Sequence, residues 1–289
     1  NGYIGPAIGT LKLKDVRDLH LQTILNTQAG MSYSHVSKLR MVMQELFRQA
    51  RRSRLIIYDP AEGLLLPESV KRSHRPITKA ERRHILAVAQ THPAGLWVLT
   101  ILYTGLRPGE TAALFWEDID FDRNEIHVYK AVESGTRTIK APKTPAGIRD
   151  IPMRQELRER LLAVRGEGAA PVFPSANGGI RSANSLRRLW NSFAHALDLH
   201  MGAKVRDGQI LQHAIAPDLT PYCLRHTFCT DLQRAGVPIN VAKELMGHAN
   251  ISVTANIYTH RDQKVLHNNM AKLNPKGRRA VGKTQEKTV

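Results

Sequence analysis

Acidic side chains are scarce in this chain: 25 Asp and Glu stand against 42 Lys and Arg, for a formal net charge of +17 and a pI near 10.2. That imbalance favours a polyanionic partner, nucleic acid first, over an uncharged or cationic one. A basic but otherwise ordinary soluble protein is the plainer alternative. Cysteine is nearly absent, with only Cys223 and Cys229. On one helix these two point in different directions and cannot bridge, so there is no disulfide framework, and reduced thiols fit a cytosolic protein. No apolar run reaches the length of a membrane span. His-Glu-x-x-His and Cys-x-x-Cys spacings are both missing, which argues against a zinc hydrolase built on the His-rich segment.

What is present is 289 residues at 42% hydrophobic, enough for one large or two ordinary domains with real cores. The chain opens on Asn1 and a Gly/Pro-rich stretch, which reads as the cut end of a longer chain. Residues 12–29 and 33–55 read as helices. In the second, Leu39, Val42, Met43, Leu46, Phe47 and Ala50 recur at helical spacing and predict its core face. Lys38, Arg40, Arg48, Arg51, Arg52 and Arg54 occupy its other faces. A charge run is commonly a solvated face, but so many cations on one small helical unit point to phosphate contacts. Residues 69–77 form a basic, proline-containing linker that includes Arg72.

Thr78-Lys-Ala-Glu81 is a capping box that opens the next helix. An almost wholly apolar helix over residues 95–103 follows and must be buried. It breaks at Gly105, just before Arg107 and Pro108. Residues 119–122, 125–131, 137–140 and 149–152 read as short strands, with turns at Asp122-Arg-Asn and Thr144-Pro-Ala-Gly. Helices are predicted over 154–166 and 182–199, and a loop over 200–219. Thr220-Pro221 reads as a helix start with threonine as cap; that helix runs to about Ala235. A further helix ends at Gly247, a C-cap glycine that sets His248 on a fixed turn.

Two short blocks carry chemistry. One is Thr104-Gly-Leu-Arg107-Pro-Gly-Glu110. The other gathers Tyr222-Cys-Leu-Arg225-His226, Leu245-Met-Gly-His248 and Thr254-Ala-Asn-Ile-Tyr258. Two guanidinium forks match phosphate oxygens and stay charged at any working pH. They can hold the charge that builds as a phosphodiester is attacked. A phenol supplies an oxygen that can form a covalent ester. Glu110 is placed to pair with Arg107 and orient it, as a helix-end salt bridge also would.

These boxes, at these spacings, resemble those of the tyrosine recombinases, the phage- and conjugative-transposon-type integrases, over residues 12 to 265. The resemblance implies a mainly α fold with a small antiparallel β-sheet: a helical core-binding domain plus a mixed α/β catalytic domain. The boundaries it implies are a DNA-binding domain at 1–68, missing its first turns, a linker at 69–77, a catalytic domain at 78–265 and a basic tail at 266–289. It implies Arg107, Lys143, Arg225, His248 and Tyr258 as catalytic residues, with Glu110 supporting Arg107. DNA contacts fall to Lys38, Arg40, Arg48, Arg51, Arg52 and Arg72. Lys143 takes the position of the general acid, with Lys140 competing. The implied partner is a double-stranded attachment site, bound by four protomers that exchange C-terminal tails, in the bacterial cytoplasm at the nucleoid. No cofactor and no metal are called for.

One position departs from the family pattern. The family usually has histidine three residues before the second arginine, and here that residue is Tyr222. A phenol is a poor base at neutral pH but still donates a hydrogen bond. The group that deprotonates Tyr258 is thereby left open among Tyr222, His248 and water. A type IB topoisomerase-like enzyme and a DNA-binding module without catalysis are the alternative readings. Gly277-Arg-Arg-Ala-Val-Gly282-Lys283-Thr284 matches the phosphate-binding loop pattern but lacks the strand and helix that such a loop needs.

Overall fold

A computed structural model describes residues 2–69, 74–133, 137–142, 144–258 and 270. The chain divides into two compact units, residues 1–73 and 74–289. Arg72, Lys143 and nearly all of the basic tail lie outside the described residues.

The first unit is helical: α1 (Ile4–Ile8), α2 (Asp18–Asn26) and α3 (Tyr33–Arg52). Its core is Leu21, Ile24, Leu25, Val36, Met43 and Phe47. The helix expected over 12–29 is instead a 3-10 turn at Leu13–Asp15 followed by α2. Val16 and Arg17 are extended between them, and the Arg17 amide donates to His20 Nδ1 at 3.1 Å to start α2 afresh. Helix α3 starts on Ser32, whose hydroxyl accepts from the His35 amide. Its core face is narrower than the sequence pattern suggests. Val36, Met43, Phe47 and Ala50 are buried, whereas Val42 and Leu46 are 55% and 48% exposed. A chain segment folds back over the unit, held by Gln22, whose side-chain amide exchanges two 3.0 Å hydrogen bonds with the Leu65 backbone.

In the second unit, Thr78 and Glu81 close a reciprocal capping box at the start of α4 (Lys79–Val88). Helix α5 (Gly95–Thr104) is the buried axis, with Trp97, Val98, Leu99, Ile101 and Leu102 at 2% exposure or less. A helix apolar on all sides has to be enclosed. It is packed against α7 (Gln155–Ala163) and α9 (Pro221–Arg234). Helix α6 (Pro108–Ala112) follows α5, and α8 (Ala183–Met201) packs on α4.

Strands β1 (Ile119–Asp120), β2 (Glu125–Val128) and β5 (Arg149–Pro152) form an antiparallel sheet in the order β1-β2-β5. The strand expected over 125–131 breaks after Val128. There Tyr129 and Lys130 turn to Asp118, with Tyr129 Oη donating at 2.7 Å and Lys130 Nζ at 2.9 Å. Pairing resumes as a separate ribbon, β3 (Ala131–Val132) with β4 (Ile139–Lys140). The Thr144 turn becomes a 3-10 turn at Pro145–Gly147. The loop expected over 200–219 contains a hairpin, β6 (Lys204–Arg206) with β7 (Gln209–Gln212). Asp207 and Gly208 connect its strands with φ of 52° and 76°. Asp-Gly is a strong sequence sign for such a two-residue hairpin turn. The last described helices are α10 (Ile239–Met246) and α11 (Ile251–Tyr258), which pack on each other and on α9.

Candidate active site

The site is built around two glycines that end helices. Gly105 ends α5 in the left-handed region, at φ 66°. A Cβ there would run into the Phe228 ring of α9, so glycine allows both the turn and the close approach of α9. Arg107 follows in extended conformation, one residue before Pro108 begins α6. Glu110 folds back on it, accepting from the Arg107 amide at 2.8 Å and from Nη1 at 2.7 Å. The guanidinium is thus fixed by its own turn, and Nη2 reaches the carbonyl of Gly247 at 3.0 Å.

Gly247 is the second glycine. It ends α10 at φ 63°, and the His248 amide returns to the Lys243 carbonyl at 3.1 Å. Arg225, 5% exposed on α9, donates through Nη1 to the Gly105 carbonyl and through Nη2 to the Met246 carbonyl at 2.5 Å. The two predicted arginines, distant in sequence, therefore reach neighbouring carbonyls of one turn. Glu110 lies between them, 4.0 Å from Arg225.

The sequence reading missed a third arginine, Arg149. It is buried on β5 and grips Glu110 with both terminal nitrogens, at 3.2 and 2.9 Å. It also donates to the carbonyls of Gly147, at 3.1 Å, and Leu245, at 2.9 Å. A Cβ on Gly247 would stand 2.7 Å from Arg149 Nη1. The available signal was strand alternation: Arg149 and Ile151 share the buried face of β5.

Three cations around one carboxylate shape the electrostatics. Burial pushes the Glu110 carboxyl up, but the hydrogen bonds and charge of Arg149, with the charges of Arg107 and Arg225, outweigh it and hold the pKa at about 2. Burial, then the charge of Arg107, lowers Arg225 to about 9 against the pull of Glu110, so it stays cationic at neutral pH. Burial lowers His248 to about 4, helped by the charges of Arg225, Arg107 and Arg149. Its ring is neutral at physiological pH. Nδ1 is 2.9 Å from the hydroxyl of Thr254, a fully buried residue of α11. Tyr258 is the last residue of that same helix.

A cleft of about 1030 Å³ opens over this turn. Arg107, Glu110, Gly247, Tyr222, Lys140 and Arg187 are on its walls, and Trp97 and Trp190 are among its apolar lining. Arg225 and His248 do not line the cleft; both are buried at the Gly247 turn that does. Lys140 is paired with Glu133 at 2.8 Å. His226 is half-buried on α9 beside Arg225. Thr220 begins α9 without capping it through its side chain. Its hydroxyl instead lies 3.5 Å from His74 Nδ1 and 3.6 Å from Cys223 Sγ. Among the described residues, no three or more His, Cys, Asp or Glu gather as metal ligands, and no helix is long and apolar enough to cross a membrane.

In the first unit, Lys38, Arg48 and Arg52 are exposed on α3. Arg48 pairs with Glu45 at 2.5 Å and Arg51 with Glu62 at 3.7 Å, while Arg40 reaches the Leu64 carbonyl at 3.4 Å.

Known proteins share this architecture. A tyrosine recombinase XerC-like protein of Caldanaerobacter subterraneus subsp. tengcongensis is 27% identical over 283 residues, covering 91% of this chain and 72% of the relative. The transposase from transposon Tn916 of Enterococcus faecalis is 30% identical over 166 residues, which span 56% of this chain and 41% of that protein. The Tn1549 transposon integrase, solved with a circular intermediate DNA, superposes with a TM-score of 0.73 at 23% identity, over 90% of this chain and 87% of that one. A lambda integrase dimer bound to a core site superposes at 0.62 and 18% identity, over 91% and 86%. The fold is therefore that of the tyrosine recombinases, mainly helical with small antiparallel sheets. The phage integrase family model matches residues 75–264, which include every member of the Gly247 cluster, so this chain belongs to the phage integrase family.

Proposed function

We propose that this chain is a site-specific DNA recombinase that integrates or excises a mobile element through a 3′-phosphotyrosine intermediate. The observation that carries this reading is the convergence of Arg107 and Arg225 on the adjacent carbonyls of Gly247 and Met246, beside a neutral His248, at the edge of a cleft. Each guanidinium has more N–H donors than those bonds use, so both can also hold non-bridging phosphate oxygens. In the tautomer in which the Thr254 hydroxyl donates to Nδ1, the His248 ring carries its proton on Nε2 and offers an N–H to the phosphate.

Tyr258 Oη gives up its proton to water or a base of the site and attacks phosphorus, the bond to the 5′ oxygen breaks, and Lys143 protonates that leaving oxygen. The ester conserves the bond, so a second 5′ hydroxyl reverses the step without ATP or a metal. Residues 1–68 act as a helical DNA-binding domain, with Lys38, Arg40, Arg48, Arg51 and Arg52 of α3 and Arg72 of the 69–77 linker on the phosphates. Residues 78–265 carry catalysis. Four protomers on two duplexes exchange strands, with the 266–289 tails docked on neighbours, in the cytoplasm at the nucleoid.

The test is incubation with a nicked candidate attachment site, which traps the covalent adduct, followed by mapping of the joined residue. Wild-type chain should yield one DNA-linked peptide containing Tyr258, with the same yield in EDTA, and Tyr258→Phe should yield none. An adduct formed by Tyr258→Phe refutes the assignment.

A further inference from the structure

The chain lacks the histidine that the family pattern puts three residues before Arg225, yet a histidine of the linker lies against the tyrosine that stands there. His74 lies against Tyr222 with ring centroids 5.1 Å apart and planes 16° from parallel. Its Nδ1 is 3.5 Å from the Thr220 hydroxyl. Tyr222 is half exposed and lines the cleft together with Arg107 and Gly247.

The approach of His74 is held by a clasp. Arg75, the next residue, bonds Asp218 through Nε at 2.9 Å and Nη2 at 3.1 Å, just before α9 begins. The same guanidinium grips Glu81 of α4 through Nη1 at 2.8 Å and Nη2 at 2.7 Å. Two residues further, the Ile77 amide donates to Thr227 Oγ1 of α9 at 2.8 Å. Bidentate guanidinium–carboxylate pairs set orientation as well as distance. The 74–77 segment is thus pinned to Asp218 ahead of α9, to Glu81 of α4 and to Thr227 of α9, which keeps His74 beside the phenol. An unsupported phenol at a cleft edge samples several rotamers, whereas a stacked one is held near a single orientation.

We propose that His74 is a positioning residue of the active site, stacking on Tyr222 to hold its phenol at the cleft where the scissile phosphate sits. This rests on the recombinase reading above and deepens it. Tyr222 Oη then presents a hydrogen bond to the cleft in a fixed direction. The stacking, rather than the imidazole's proton, does the work.

The experiment measures single-turnover adduct formation on the nicked substrate, with DNA affinity measured separately. His74→Ala should slow adduct formation about three- to tenfold, the range expected from losing one aromatic pair. Its DNA affinity should match wild type and its melting temperature should fall by only a few degrees, because the side chain is exposed and a single aromatic pair is lost. His74→Phe should restore the rate, since it keeps the stack without an ionisable group. The inference is overturned if His74→Ala reacts at the wild-type rate, if its loss lies only in DNA affinity, or if His74→Phe is as slow as His74→Ala. If wild-type chain forms no adduct, the recombinase reading itself fails, and that outcome is distinct from all of these.

Discussion

Glu110 carries one negative charge among Arg107, Arg149 and Arg225, and each partner is itself wholly or partly buried. Removing a partner from a buried ion cluster leaves charge without compensation. Glu110→Gln should therefore lower stability by about 3 kcal/mol in urea unfolding and slow cleavage, because Arg107 loses its anchor. The pH dependence follows from the same cluster. Folding favours neutral His248, whose pKa drops from an ordinary 6.5 to about 4. The unfolded chain then binds the extra proton, so stability is intact above pH 6.5 and falls as pH drops towards 4. This amounts to roughly 3 kcal/mol. Glu110, depressed from 4.5 to about 2, adds a second loss as pH falls through that lower window. Urea midpoints between pH 7 and 3 should show both stages, and His248→Gln should remove the first. Tyr222→His should cleave at least as fast as wild type in single-turnover assays; a large loss would show that the phenol has a role histidine cannot fill.

Among elements, the α10 C-terminal turn does the assembling. It receives Arg107 from the turn before α6, Arg225 from α9 and Arg149 from β5, and it places His248, which bonds to Thr254 of α11. Gly247→Ala forces an L residue to φ 63° and sets its Cβ against Arg149. The expected cost is about 2 kcal/mol or more, with loss of adduct formation beyond what the stability change explains. Equal adduct yields at matched fraction folded would show that the turn's geometry is not needed. The importance of this turn was partly legible: Leu-Met-Gly-His reads as a helix end with a glycine cap. Its partners were not, because main-chain carbonyls accept from any arginine and leave no mark on the sequence. Arg149 escaped notice for a related reason, since a cation on a short strand ordinarily faces water. The β6–β7 hairpin is marked in the sequence by Asp207-Gly208, but its strands carry too few apolar residues to stand out from a loop.

Over the whole molecule, the +17 charge predicts DNA binding that weakens steeply with salt. If the exposed cations of α3 neutralise phosphates, Lys38→Ala and Arg52→Ala should each reduce the slope of log K against log salt by about 1. Titrations at several salt concentrations check this; unchanged slopes would assign those residues to solvent. The exposed Val42 and Leu46 belong to this scale too. Helical spacing marks a residue as able to face a core, but how wide a stripe is covered depends on how many neighbours the unit provides, and the three helices among its described residues cover a narrow one.

The sequence by itself determined the capping box that opens α4, the glycine ends of α5 and α10, the buried α5, the net charge and the short blocks that hold the reactive groups. These follow from local rules: capping, periodicity, and the fixed chemistry of each side chain. Only the tertiary structure decided that Arg107, Arg149 and Arg225 share one carboxylate, that His248 stays neutral among them, and that His74 of the linker meets Tyr222 of α9. Those are contacts between residues far apart in the chain. Their energies depend on burial and on neighbours' charges, and neither exists until the chain has folded.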